Sequence, residues 1–317
     1  MLKKNFFKLS RSITKLFLPF FSLLFIKLKI NKRIINYLND KSFFANNYYN
    51  FSDLIKNNLN GEKIISLDIG AQGGFNSDNF FSKKYNTFFE PILVEPIKKE
   101  AEKLMLKNKY VIEKGIWSKK ERKKIYILCD RLGSSSMYPP NPNYFDVHNI
   151  KKKDYKNYSI TETIEVDCDS LNSSLKNLKI DKLDYLKIDT QGAELEILRG
   201  IGDYRPLLIK IEAHIFSMYQ GVPAWNELLN YLYRLNYIVV DWKGIGSNAT
   251  RIPVEMDMIF IPNFNNAEGK KLITLNEGKF ISLMLMFGQI SLLQIISKKY
   301  NFKFSNEIDK FEDRFFY

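Results

Sequence analysis

The sequence predicts an α/β fold: a mostly parallel sheet with an antiparallel last strand, covered by helices on both faces, plus helical extensions at both ends. Three observations carry that expectation. Beyond residue 60, short apolar runs alternate with amphipathic stretches, the pattern of buried parallel strands and the helices that cover them. The first run, Ile64-Ile65-Ser66-Leu67, leads into the glycine-rich turn Asp68-Ile69-Gly70-Ala71-Gln72-Gly73-Gly74. Acidic residues (Glu95, Asp189 and Glu212) then recur at the ends of later runs.

In chain order, the first strand is expected over 63–70. The second covers 92–95 and stops at Pro96, whose ring removes a backbone donor; a helix follows near 97–107. Residues 110–117 read as the third strand. An insertion of about 118–168 comes next, with strands at 125–130 and 161–168 around a polar, proline-bearing loop at 131–160. The fourth main strand is 185–189, and its helix is 192–200, with Leu195, Ile197 and Leu198 inward. Strand five is 207–212, a helix is expected over 224–235, and 237–242 with 258–262 should close the sheet as an antiparallel pair. The domain boundaries follow: a basic and apolar helical extension at 1–60, the α/β body at 61–264, and a separate helical extension at 265–317. The apolar stretch 280–296 carries Gly288 and Gln289, so core packing or an oligomer face explains it better than a membrane span.

Composition narrows the class. The chain has 317 residues, 45% of them hydrophobic, enough for a sizeable core. Two cysteines, Cys129 and Cys168, make no disulfide framework and point to a reducing, cytoplasmic setting, where they read as small buried side chains in strands. The net charge is +13, but residues 1–39 hold nine basic side chains and no acid, leaving 39 basic against 35 acidic residues elsewhere. That basic segment includes the apolar run 16–26, too short to span a bilayer. Peripheral contact with the inner face of an anionic membrane is one expectation for it, and a docking arm is the other.

The turn at 68–74 carries the chemistry. An acid leaving a buried strand would repel a dinucleotide pyrophosphate, whereas S-adenosylmethionine offers an ammonium and a sulfonium. Gly70 and Gly74 can take backbone angles closed to other residues and bring the main chain against a ligand. Ala71 and Gln72 lie between them, and amides at the start of the next helix would meet a carboxylate. The dinucleotide fingerprint requires glycines at its third and sixth positions; Gln72 and Phe75 stand there instead. Ligands of open parallel sheets bind beyond the carboxyl ends of the strands, so Glu95 is placed to accept ribose hydroxyls. The backbone around Gly115 is placed to edge an adenine.

Three segments also resemble a known family. They are Leu67-Asp68-Ile69-Gly70-Ala71, Val94-Glu95-Pro96, and the longer Leu186-Lys187-Ile188-Asp189-Thr190-Gln191-Gly192-Ala193-Glu194-Leu195-Glu196-Ile197-Leu198-Arg199-Gly200. With Ile211-Glu212-Ala213-His214, this is similar to the FkbM family of S-adenosylmethionine-dependent methyltransferases, over about residues 60–262. The resemblance implies a class I methyltransferase, Rossmann-like sheet and O-methylation, often of a sugar in a glycan, glycolipid or natural product. Gln72 departs from the family's usual Asn. Gln191 departs from a frequent Glu and removes a charge beside the site.

Transfer to a hydroxyl needs alignment and a base. Asp189, Glu212 and His214 are the candidates, expected to face one crevice, with His214 the best matched by its ordinary pKa. His148, in a loop, reads as exposed. The three candidates could gather a hard cation, but no tight ligand spacing supports one and no metal is expected. Glu194 should orient the start of its helix. Ser135 and Ser136, with Phe216 and Tyr219, border the presumed acceptor side, where hydroxyls and aromatic faces suit a sugar; Trp225 reads as core. The expected partner is a hydroxyl-bearing small molecule or glycan, with an oligomer possible through the C-terminal helices. The lysine clusters at 119–124 and 151–153 raise RNA methylation as an alternative. Against it, the fourth strand lacks the Asn/Asp-Pro-Pro turn of base-amino methyltransferases, so no nucleic acid is expected. A non-catalytic docking module of a membrane glycan-assembly complex is the other alternative.

Overall fold

The computed structural model describes residues 50–129, 131–245, 252–303 and 305–310. The basic segment 1–39 and its expected membrane contact lie outside the described residues. In order, the elements are α1 (Ser52–Leu59), β1 (Ile64–Ile69), β2 (Phe89–Val94), α2 (Lys98–Met105), β3 (Tyr110–Ile112), β4 (Gly115–Trp117), β5 (Glu121–Leu128) and β6 (Ile160–Ser170). There follow α3 (Leu171–Asn177), β7 (Tyr185–Ile188), α4 (Glu194–Arg199), β8 (Leu208–His214), α5 (Trp225–Arg234), β9 (Tyr237–Ile245) and β10 (Glu255–Pro262). Four helices complete the set: α6 (Ala267–Leu275), α7 (Glu277–Met286), α8 (Ile290–Tyr300) and α9 (Ser305–Ile308). Among the described residues no helix is long and apolar enough to cross a membrane.

Seven strands form one sheet in the order β3-β2-β1-β7-β8-β10-β9. All of its described pairings are parallel except those of β10, which runs antiparallel to both neighbours. This is the α/β, Rossmann-like sheet with an antiparallel final strand that the sequence predicts. Period-two alternation sorts the side chains between two cores. Leu67, Ile69, Leu186, Ile188, Ile209, Ile211, Met258 and Phe260 face one layer, which α3, α4 and α5 cover. Ile64, Tyr185, Leu208, Ile259 and Ile261 face the other, which α1 and the C-terminal helices cover. Each fully buried Leu, Ile or Phe contributes about 1.5–3 kcal/mol.

Four expectations need correction. The stretch 110–117 is not one strand: Glu113 and Lys114 break it, and β4 leaves the main sheet to pair with β6. The insertion is therefore a second, three-stranded sheet in the order β4-β6-β5, packed through Ile125, Val166 and Cys168 onto the first core. No α-helix opens after the glycine-rich turn. Positive φ at Gly70, Gly73, Gly74, Asn76 and Asn79 keeps residues 70–82 irregular until a short 3-10 turn, Lys83–Phe88. The C-terminal helices are not a separate body. Phe280 to Phe287 are buried against α1 and the sheet, and Gly278 lies so close to the Asn58 carbonyl that an added Cβ would fall 2.1 Å from it. Cys168 is buried as expected, whereas Cys129 lies past the end of β5 and is exposed.

Candidate active site

The main sheet reverses its winding between β1 and β7: β2 and β3 extend it one way, β8 the other. Ligand sites of open α/β sheets lie at such a point, beyond the carboxyl ends of the strands. A cavity of about 210 Å³ opens there, lined by Gly70, Gln72, Val94, Glu95, Ile97 and Gly115 on one side and by Ser135, Ser136, Met137, Asp189 and Gln191 on the other. Gly70 lets it form. Its φ is +81°, and a Cβ would lie 1.9 Å from the Asp189 carbonyl oxygen, so only glycine allows the ends of β1 and β7 to come this close.

Of the expected donor-side residues, Gly70, Gln72, Glu95, Gly115 and Asp189 line this cavity. Asp68, Ala71 and Gly74 do not. Ala71 is buried against Leu93 and Leu104, and Gly74, at φ +97°, closes the turn through its N–H to the Ala71 carbonyl at 2.9 Å. Asp68 points back into the protein, where Lys187 Nζ lies 3.2 Å from its Oδ1. The same ammonium lies 3.6 Å from Asp78 and 3.6 Å from Asp189, and donates to the Gly70 carbonyl at 3.2 Å. One lysine thus serves three carboxylates, and the turn stays net negative. Burial pushes the Asp68 carboxyl up, with Lys187 opposing it. For Asp189, burial is outweighed by Lys187 and Lys210, and the carboxyl is held below its ordinary range.

Glu95 ends β2 almost fully enclosed and accepts a hydrogen bond from the Ile97 N–H at 2.9 Å. Burial raises its pKa to about 7, with the Ile97 amide opposing. A carboxyl raised on folding is without penalty below its unfolded value near 4.5, and stability then falls as pH rises towards 7. The magnitude is roughly 3 kcal/mol at most.

The crevice expected to hold Asp189, Glu212 and His214 together is two compartments. Gln191 divides them. Its Nε2 donates to Asp189 Oδ1 at 3.2 Å and to Glu212 Oε1 at 2.8 Å, while its Oε1 lies 2.8 Å from the Tyr219 hydroxyl. An ionised glutamate at this position would have no proton to offer either carboxylate, which gives the departure from the family pattern a physical reason. Beyond Gln191, Glu212 and His214 line a gap of about 20 Å³, and His214 also borders an outer recess of about 480 Å³ with Tyr144, Phe216, Tyr219 and Gln220.

The register builds this acidic side. Across β8 and β10, Glu212 sits opposite Asp257 and His214 opposite Glu255. His214 Nδ1 lies 3.3 Å from Glu255 Oε1, and burial of the ring is outweighed by Glu255, Glu194 and Glu212, raising its pKa to about 9. The ordinary histidine pKa that favoured it as base does not survive this setting. Glu212 is pushed well up, by burial and then by Asp189 and Glu255. His148 is not exposed: its side chain is enclosed, Nε2 lies 2.5 Å from the Phe216 carbonyl, and Nδ1 is 3.8 Å from Glu255.

The acceptor-side residues are also drawn inward. Ser136 donates to the Gln191 carbonyl at 2.6 Å, Ser135 Oγ accepts from the Leu128 N–H at 3.2 Å, and Tyr219 is buried with its hydroxyl between Gln191 and the Ser134 carbonyl. Phe216 stays at the recess, and Trp225, exposed rather than core, borders the small gap beside Glu212 and His214. Glu194 has the expected orienting role: its carboxylate accepts from Thr190 and Gly192 N–H groups at 3.0 and 3.1 Å. Sequence reasoning missed Asp78, Lys187 and Glu255. Lys187 carried a readable signal, an ammonium inside a buried strand two residues before Asp189 and hence on the same face.

Comparison with known proteins fits this geometry. No curated protein matches the chain. Among solved structures it is similar to an E. coli prophage-encoded protein described as a DNA modification methyltransferase, at 10% identity and a TM-score of 0.34, over 63% of this chain and 47% of that one. The match spans about half of that protein's length, and a likeness so slight carries no argument. The profile of the methyltransferase FkbM domain matches residues 68–239, just over half of the sequence. That match runs from the Asp68 turn through Glu95, Asp189 and His214, the residues around which both compartments are built, and the chain belongs to the FkbM family of methyltransferases.

Proposed function

We propose that this methyltransferase uses S-adenosylmethionine and methylates a hydroxyl group, of a sugar in a glycan or of a comparable small molecule. One observation carries the reading: the cavity lining contains Asp78, Glu95 and Asp189 and, among the described residues, no lysine, arginine or histidine. Such a wall favours a ligand with sulfonium and ammonium groups and disfavours a pyrophosphate. When bound, the sulfonium supplies an activated methyl group. Glu95, at the end of β2, has the position and acceptor oxygens to hold ribose hydroxyls. Gly115 and Ile116 offer a close-approach wall for a flat base.

On transfer, the acceptor O–H bond gives its proton to a carboxylate, its oxygen bonds to the methyl carbon, and the sulfonium departs as a neutral thioether. Asp189 is the acid on the cavity wall held below its ordinary range and the base of this reading, whereas burial and neighbouring carboxylates push Glu212 well up, and His214 is raised to about 9. Asp189→Asn keeps an oxygen for Gln191 and is expected to lower kcat by about 10²–10⁴-fold. A variant with kcat within threefold of wild type would remove Asp189 from the role.

Calorimetry with S-adenosylmethionine and its demethylated product tests the donor. Glu95→Gln is expected to weaken binding by about 10–100-fold, the loss of one charged hydrogen-bonding group. The same variant should be more stable than wild type at pH 8, because the ionisation that opposes folding is gone, and equal to it near pH 4. Tight NAD binding with no heat from the methionine ligands would overturn the reading.

A further inference from the structure

Glu212, His214 and Glu255 each offer one ligand atom, and these three atoms all lie within 4.8 Å of one another. Donors bound at about 2.0–2.2 Å to one ion stand roughly 3–4 Å apart, so shifts below an ångström would close this set on an ion. The strands make it: β10 lies antiparallel beside β8, placing Glu255 directly opposite His214. His214 is the second, independent observation. Its side chain is 1% exposed, and among the described residues neither ring nitrogen has a hydrogen-bond partner; Nδ1 only approaches Glu255 at 3.3 Å. An imidazole enclosed with an idle nitrogen is costly, and metal coordination is a common way for a protein to use one.

Charge points the same way. Glu212 and Glu255 are grouped here, while Lys210 on the same strand is held 2.5 Å from Asp257 and Lys187 is shared among Asp68, Asp78 and Asp189. The gap beside Glu212 and His214, about 20 Å³, has room for one water-sized occupant. Its walls are braced: Gln191 donates to Glu212, Tyr219 stands edge-on to the His214 ring at 5.7 Å, and His148 backs Glu255. Such outer contacts orient metal ligands.

We infer that Glu212, His214 and Glu255 form a site for one divalent transition-metal ion of the Mn²⁺, Fe²⁺ or Zn²⁺ type, beside the donor cavity. One nitrogen and two carboxylate ligands favour these ions over calcium, and three protein ligands leave positions open. His214 also borders the outer recess, from which acceptor oxygens would reach such an ion, and an alcohol so bound would be easier to deprotonate. This acceptor role rests on the methyltransferase reading; the metal site does not.

Mn²⁺ titration of the full chain, without other ligands, tests it by electron paramagnetic resonance. The expected result is one tightly bound ion whose signal shows nitrogen coupling. In His214→Gln the coupling disappears, and in Glu255→Gln affinity falls at least thirtyfold. Should either variant fail to fold, wild type decides alone: Mn²⁺ should raise its Tm and a chelator should reverse the rise. No bound ion, or weak binding without nitrogen coupling that both variants retain, overturns the site. Donor calorimetry on the same metal-free samples keeps the readings apart: donor binding without Mn²⁺ binding sinks the metal site alone, and the reverse sinks the donor reading alone.

Discussion

Lys187→Met is expected to destabilise the protein by about 3–5 kcal/mol, the cost of removing one partner from a buried ionic group. That is a large share of the 5–15 kcal/mol that holds a domain folded. Asp68, with a side chain only 6% exposed, has no other cation in contact among the described residues, and Asp78 and Asp189 lose the same ammonium. Burial already raises the Asp68 carboxyl, and loss of Lys187 would raise it further. A carboxyl raised in the folded state stabilises only below its pKa, so the defect should shrink as pH falls and deepen towards neutrality. Urea denaturation at pH 5 and pH 8 measures both effects. Asp68→Asn in the Lys187→Met background should restore at least 1 kcal/mol, the coupling of residues in contact. Wild-type stability of the single variant at pH 8 would mean that the carboxylates are not held by this lysine.

Gly70→Ala should abolish measurable donor binding. The new Cβ meets the Asp189 carbonyl at 1.9 Å, and the φ of +81° is strained for alanine regardless of space. Backbone cannot give way as a flexible side chain can, so β1 and β7 must part, and the cavity floor moves with Asp189. The stability cost combines about 1–2 kcal/mol of backbone strain with the clash. Gly74→Ala is the control. Its φ is +97°, but the nearest atom to an added Cβ is a leucine methyl at 4.0 Å, so only the strain remains and donor affinity should hold. Calorimetry and thermal melting of the pair distinguish close approach from mere turn geometry. Equal donor affinity in both variants would show that the β1–β7 contact does not shape the cavity.

Much of the lining of the cavity between β1 and β7 was legible because its residues sit at strand ends. An apolar run fixes a strand, its end fixes where the next side chain emerges, and Gly70, Glu95 and Asp189 all follow by that rule. Asp68 shows the rule's limit: a strand-end acid can emerge towards the core side and be claimed there, as Lys187 claims it. Asp78 carried no signal, since it lies in the irregular stretch that local pattern reads as a helix start. Tyr219 and the serines were read as outward hydroxyls, yet the insertion sheet folds over β7 and uses them to anchor itself. The third strand failed for a similar reason: 110–117 reads as one strand interrupted only by Glu113 and Lys114, but its second half pairs with β6, far away in sequence.

By itself, then, the sequence determined the alternation of strands and helices, the antiparallel close of the sheet, the glycine-rich turn after β1 and the family. All of these reside in short windows, where period, glycine placement and strand ends act through neighbouring bonds. The tertiary structure alone decided the sharing of Lys187 among three acids, the division of the crevice by Gln191, and the meeting of Glu255 with Glu212 and His214. Those arise from strand order and register, which bring together side chains that no local pattern connects. Their charges then act through space in a buried setting where water no longer screens them.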